Sequence, residues 1–277
     1  MNNFFQRILT GVVFVVLLLL SIYFSPYTFL FLFVAVTGLS MYEFCKIVLK
    51  NTDRGLFVSS VVCAKILFVT AFLQMQQPFK FPFLTIYVFC FILVLIAQLF
   101  RKNVQPIKNW AIFISGQFMV VFPFASLNGI LFSSGWQPAL LIAMFLTIWM
   151  NDSWAYVFGV TLGRHKMFER VSPKKSWEGF AGGALMSLLT GYLCWRFLPM
   201  LFPTLEMSLW QWLVFAEIVV VFGTLGDLME SLFKRTYEIK DSSNLIPGHG
   251  GFLDRFDSTM LAAPAIYLFL ELLSYWG

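Results

Sequence analysis

Residues 209–233, LWQWLVFAEIVVVFGTLGDLMESLF, run directly into residues 234–257, KRTYEIKDSSNLIPGHGGFLDRFD. The first stretch is apolar and long enough to cross a hydrocarbon core about 30 Å thick at about 1.5 Å per helical residue. The 27 residues from Ser231 to Asp257 hold four cations, four carboxylates and His249 before the next apolar stretch begins. In a chain that is 59% hydrophobic and 12% charged, such crowding marks a reaction or ion site rather than solubilising surface. Outward from this point the apolar signature recurs. Nine stretches qualify: 7–24, 27–48, 56–74, 81–100, 110–132, 138–158, 178–199, 209–233 and 259–276. Backbone groups in lipid must pair within their own segment, and these runs lack the alternation of a barrel strand. The expectation is an all-α, polytopic integral membrane protein with about nine transmembrane helices.

The loops predict its orientation. Sixteen of the 19 Lys and Arg lie in the N-terminal tail or after spans two, four, six and eight. Lys80 and Arg196 lie on the other side, and Lys65 falls inside span three. The positive-inside bias predicts a cytoplasmic N-terminus, an outside C-terminus and charged loops on the cytoplasmic face of the cell membrane. Basic cytoplasmic loops account for the net charge of +5. Nucleic acid is not an expected partner, because no basic helix or aromatic platform extends beyond the membrane. Cys45, Cys63, Cys90 and Cys194 are too widely spaced for a thiolate metal site and suggest no disulfide. The opening MNNFFQRILTGVVFVVLLLL continues into SIYFSP without a small-residue cleavage site and reads as a retained first span.

Carboxylates divide the chain. Glu43 and Asp53 are the only two in residues 1–150, and the other twelve lie in 151–277. Residues 1–150 therefore read as an N-terminal transmembrane scaffold. Residues 151–277 read as a catalytic transmembrane region with two charged cytoplasmic loops, the whole forming a single membrane domain.

Three constellations carry the second part. Asn151-Asp152-Ser153 closes span six, and a carboxylate at that depth costs about 2.5–3.5 kcal/mol, so it should face a polar cavity or a cation. Next comes Ser172-Pro173-Lys174-Lys175-Ser176-Trp177-Glu178-Gly179. Ser176 suits a helix N-cap with Glu178 in the first turn, and a helix start beside two lysines suits an anion such as phosphate. Gly179 and Gly183 fit close helix packing. At the end of span eight, Asp227, Glu230, Ser231, Lys234 and Arg235 share one helix face. Asp227 and Glu230 repel one another there, which a bound cation would relieve. Pro247-Gly248-His249-Gly250-Gly251 must turn tightly, and Asp254, Arg255 and Asp257 open span nine. Hard oxygen donors without cysteine argue for Mg²⁺, with Asp227 and Asp254 as ligands and Glu230 and Asp257 beside them.

This pattern resembles the signature of the CDP-diacylglycerol synthases, or phosphatidate cytidylyltransferases. The resemblance runs through Ser231, Lys234-Arg235, Lys240-Asp241, Ser243, Ile246-Pro247, His249-Gly250-Gly251 and Asp254-Arg255-Phe256-Asp257. The NDSWAY and SPKKSWEG segments are similar to the upstream blocks of that family, so residues 150–258 carry the likeness. It implies a nucleotidyltransferase of phospholipid biosynthesis: CTP and phosphatidic acid give CDP-diacylglycerol and pyrophosphate with Mg²⁺, and a second metal ion is compatible. Asp227, Asp254, Lys234, Arg235, His249 and Arg255 are then the expected catalytic residues. Asn151, Asp152, Lys174, Lys175, Ser176, Ser231, Lys240, Asp241, Gly250 and Gly251 are expected to bind substrate. Two other readings stand beside it: transfer to another lipid phosphate, and an ion-coupled transporter lined by Asp152, Glu217, Asp227 and Glu230. A homodimer fits such a protein but does not follow from its sequence.

Overall fold

The computed structural model describes residues 3–50, 52–76, 81–101, 105–133, 135–204, 206–246, 248 and 250–276. Helices α1 (Asn3–Phe24), α2 (Pro26–Leu49), α3 (Arg54–Met75) and α4 (Leu84–Leu99) come first. They are followed by α5 (Pro106–Gly116), a π-helical segment (Gln117–Val121) and α6 (Phe122–Leu131), which form one continuous rod. Then come α7 (Pro138–Thr161), strands β1 (Lys166–Phe168) and β2 (Ser172–Ser176), α8 (Trp177–Leu201), α9 (Leu209–Thr236), the single turn α10 (Phe252–Arg255) and α11 (Thr259–Trp276). Each apolar stretch read from the sequence contains helix, though residues 81–83 precede α4 rather than belong to it. Among the described residues six helices are long and apolar enough to cross a membrane, and Leu9–Phe24, Leu84–Leu99 and Thr259–Tyr275 are shorter apolar helical stretches. Among the described residues the helices are interrupted by an antiparallel β1–β2 hairpin, in which Lys166 faces Ser176 and Phe168 faces Ser172.

Local chemistry sets several of the boundaries. Pro26 and Pro106 occupy first-turn positions whose N–H groups would have no partner within the helix. Ser176 caps α8 by accepting the Gly179 N–H at 3.2 Å, and Ser208 and Gln211 form a reciprocal capping box on α9. In the α5–α6 rod, Pro123 has no N–H to give the preceding turn, and the helix widens to its π form just before it. Gln117, in the widened turn, donates to the Ser60 carbonyl of α3 at 3.1 Å.

The core is aromatic and lies where the N-terminal helices meet the C-terminal ones. Phe33 of α2 packs against Phe29, Phe68, Phe124 and Phe145. Phe256, from the loop before α11, enters the same cage. Its ring centroid lies 5.7 Å from Phe14, 6.0 Å from Phe33, 5.3 Å from Phe124 and 6.2 Å from Phe145, and it is 2% exposed. Truncating a phenylalanine packed on that scale to alanine costs roughly 3–5 kcal/mol. The loop holding the densest charge is thus anchored by one apolar side chain between Arg255 and Asp257.

Candidate active site

Helix α9 carries its polar stripe on one face, as the spacing predicts, and each member has a partner. Ser231 donates to Asp227 at 3.2 Å, and Lys175 of β2 forms an ion pair with Asp227 at 2.7 Å while also reaching the Thr224 carbonyl. One turn on, Lys234 bridges Glu230 at 2.5 Å and Asp254 at 2.9 Å. Glu230 is only 1% exposed, so that lysine is the counter-charge it requires. The repulsion expected between Asp227 and Glu230 is therefore met by two lysines from different elements. Arg235 donates to the Val171 carbonyl at 3.4 Å and ties the turn of the β-hairpin to the end of α9.

Asp254 organises the loop that precedes it. One oxygen faces Lys234; the other accepts from the Ser242 N–H, the Ser242 hydroxyl and the Gly251 N–H at 2.8–2.9 Å. Burial opposes its ionisation, but the Gly251 N–H and Lys234 hold the carboxyl below its usual range. A second carboxylate completes the clamp. Glu43 of α2, 0% exposed, accepts from Ser243 Oγ at 2.6 Å, Ser242 Oγ at 3.0 Å, and the Phe252 and Leu253 N–H groups at 2.9 Å. It thereby caps α10 from another helix. A Cβ on Gly251 would overlap Ser242 Oγ and lie 2.5 and 2.6 Å from the Glu43 oxygens, so only glycine fits. Gly250 has φ +82, the left-handed conformation glycine tolerates. Sequence reasoning placed Glu43 in the scaffold. The available signal was its cost: a buried carboxylate within an apolar helix needs donors, and it is 0% exposed here.

Asp257 lies against α9, where a Cβ at Gly226 would come within 2.6 Å of the Asp257 carbonyl. Burial, with the Asp227 and Asp152 carboxylates nearby, pushes the Asp257 carboxyl above its usual range. Asp152 also contributes to two cavities. One, of about 210 Å³, is lined on its polar side by Asn151, Lys174, Lys175, Ser176, Thr224 and Asp227. The other, of about 360 Å³, is lined by Asp254, Arg255 and Asp257 together with Phe14 and Val15 of α1 and Trp149 of α7. Asp152 is thus common to the walls of both cavities.

The remaining expected residues are placed as follows. Asn151 is buried against Gly183, in the close α7–α8 contact that also brings Gly179 to the Ala155 carbonyl. Lys240 and Asp241 are exposed, and their neighbours Ser242 and Ser243 make the carboxylate contacts instead. His249 and Pro247 lie outside the described residues. At the start of α8, Glu178 accepts from the Arg164 and His165 N–H groups and lies 2.5 Å from His165 Nδ1, so the first turn already holds an anion of its own.

A family model described as the cytidylyltransferase family matches residues 5–273. The phosphatidate cytidylyltransferase of Staphylococcus saprophyticus is 42% identical over 130 residues, covering 47% of this chain and 48% of the relative. That of Staphylococcus aureus is 44% identical over 131 residues, with the same shares. The chain spans about half the length of the curated relatives it matches. With a match running through both the helical frame and the charged loops, the chain belongs to the cytidylyltransferase family.

Proposed function

We propose that this protein is a phosphatidate cytidylyltransferase, joining CTP to phosphatidic acid at the cytoplasmic face of the cell membrane. In this reading residues 151–277 form the catalytic region and residues 1–150 its frame. The observation that carries it is the pair of cavities sharing Asp152. One exposes Lys174 and Lys175; the other exposes Arg255 and runs along apolar side chains of α1. Two anionic substrates, one from water and one from the leaflet, need such an arrangement. A lipid phosphate is already ionised near neutral pH, so attack on the α-phosphorus of CTP requires no strong base. An oxygen of the lipid phosphate forms the new P–O bond as the α–β bridging bond breaks, and pyrophosphate leaves with the electron pair. The barrier is the approach of anion to anion, and cations aimed at the phosphates lower it. Arg255 suits bidentate contact and Lys174 a point charge.

The residues fit Mg²⁺. Five carboxylates, Asp152, Asp227, Glu230, Asp254 and Asp257, gather around three cations, Lys175, Lys234 and Arg255. Among the described residues no three His, Cys, Asp or Glu side chains enclose a metal position. Mg²⁺ commonly takes one or two carboxylates and completes its shell with water and substrate phosphates. Asp254, expected from the sequence to be a ligand with Asp227, has its oxygens engaged by Lys234, Ser242 and Gly251, so in this reading Asp257 takes its place beside Asp227, with Asp152 nearby and Glu230 paired with Lys234. When bound, the ion offsets charge on the phosphates.

The test is purified protein with labelled CTP and phosphatidate vesicles, with and without Mg²⁺. Labelled CDP-diacylglycerol and pyrophosphate should form in equal amounts, and only with the metal. Faster labelling of a polyprenyl phosphate would reassign the lipid, and no product with any lipid phosphate would overturn the reading.

A further inference from the structure

Away from the site, a cleft of about 640 Å³ opens between the ends of α2, α5 and α9. Its volume lies within the roughly 300–1,000 Å³ of built ligand sites. Two lysines, Lys50 and Lys108, stand in its lining with the hydroxyl-bearing Thr52 and Tyr237, and no carboxylate lines it among the described residues. Of the acids adjoining lining residues in sequence, Glu43 binds the 242–253 loop, Asp53 pairs with Arg101 and accepts from Asn109 at 3.1 Å, and Glu238, beside Tyr237, is exposed. From Lys108 the lining descends one face of the α5 rod through Ile112 and Ser115 to Met119, in the π-helical segment. The eleven helical steps from Lys108 to Met119 cover about 16 Å, close to half of a roughly 30 Å hydrocarbon core. The stacked rings of Phe44 and Phe233, 5.3 Å apart, form the inner wall.

We infer that this cleft is a second lipid site, separate from the catalytic cavities, that takes an anionic phosphoglyceride of the membrane. Lys50 and Lys108 bind the headgroup phosphate, and one acyl chain lies along Ile112, Ser115 and Met119. The cations at one end of an apolar slot one leaflet deep select against both a free anion and a zwitterionic lipid. Each interfacial lysine is worth about fivefold in affinity for an anionic lipid.

The experiment places the protein in nanodiscs of phosphatidylcholine carrying a minority of phosphatidylglycerol and counts retained lipid by native mass spectrometry. Wild type should retain one phosphatidylglycerol. Lys50→Gln with Lys108→Gln should weaken retention about tenfold or more. Ser115→Trp, which fills the slot and leaves both lysines, should do the same. Glycerol phosphate in excess should not displace the lipid. Equal retention by wild type and both variants, equal retention of phosphatidylcholine, or full displacement by glycerol phosphate would each overturn the assignment. The readout is bound lipid, so the result does not depend on whether the protein turns over CTP.

Discussion

Glu43 holds four donors from a loop some two hundred residues away, and under the proposed function its effect on activity should be large although it lines neither of the two cavities that share Asp152. Hydrogen bonds to a charged group contribute about 1.5–3 kcal/mol each, and Glu43→Gln weakens all of them at once. A fall in kcat/KM of about a hundredfold is expected with helix content unchanged by circular dichroism, and Glu43→Asp should recover little because the shorter stem cannot reach. Normal turnover in Glu43→Gln would remove the residue from the argument. At the other carboxylate, Lys175→Met and Asp227→Asn remove two ends of one ion pair, so their effects should not add. A double-mutant cycle on kcat/KM should give a coupling of about 1–3 kcal/mol; strict additivity would show that the two side chains act independently during turnover. Arg255→Lys keeps the charge but loses the planar fork, and a loss of at least tenfold in activity is expected. Unchanged kcat and KM for both substrates would exclude that role.

Among the elements, Ser242, Ser243 and the turn of α10 are held both from α2 through Glu43 and from α9 through Lys234 and Asp254. Gly251→Ala should abolish activity, because the added methyl meets the Glu43 and Ser242 oxygens; an active Gly251→Ala enzyme would mean the clamp opens during turnover. The helices were readable from length and hydropathy alone, since a backbone in lipid has few alternatives. So was the α9 stripe, because helical spacing is local. The β-hairpin was not: residues 166–176 are short and mostly exposed, and their pairing owes more to Arg235 and Lys175 reaching in from and toward α9 than to any strand pattern. Nor was the division of labour among the acids. Motif spacing cannot tell that Asp254 is saturated with donors while Asp257 faces Asp152 and Asp227, because Ser242, Lys234 and α7 supply the difference.

For the whole molecule, the proposed orientation sets the loop at residue 240 on the cytoplasmic side and the loop at residue 206 on the other. In intact cells a membrane-impermeant maleimide should label Glu206→Cys and leave Lys240→Cys untouched until the cells are opened; the reverse pattern would invert the topology. The same long-range clamp bears on how such a molecule is made. Glu43 leaves the ribosome 209 residues ahead of Phe252, and for that interval α2 carries an acid whose answering donors have not been synthesised. The penultimate loop is what completes the second helix, so assembly closes from its late end backward. A nascent chain stalled after α9 would hold most of its helices but leave that acid unanswered, a lesion that a membrane protease surveying unfinished proteins could recognise.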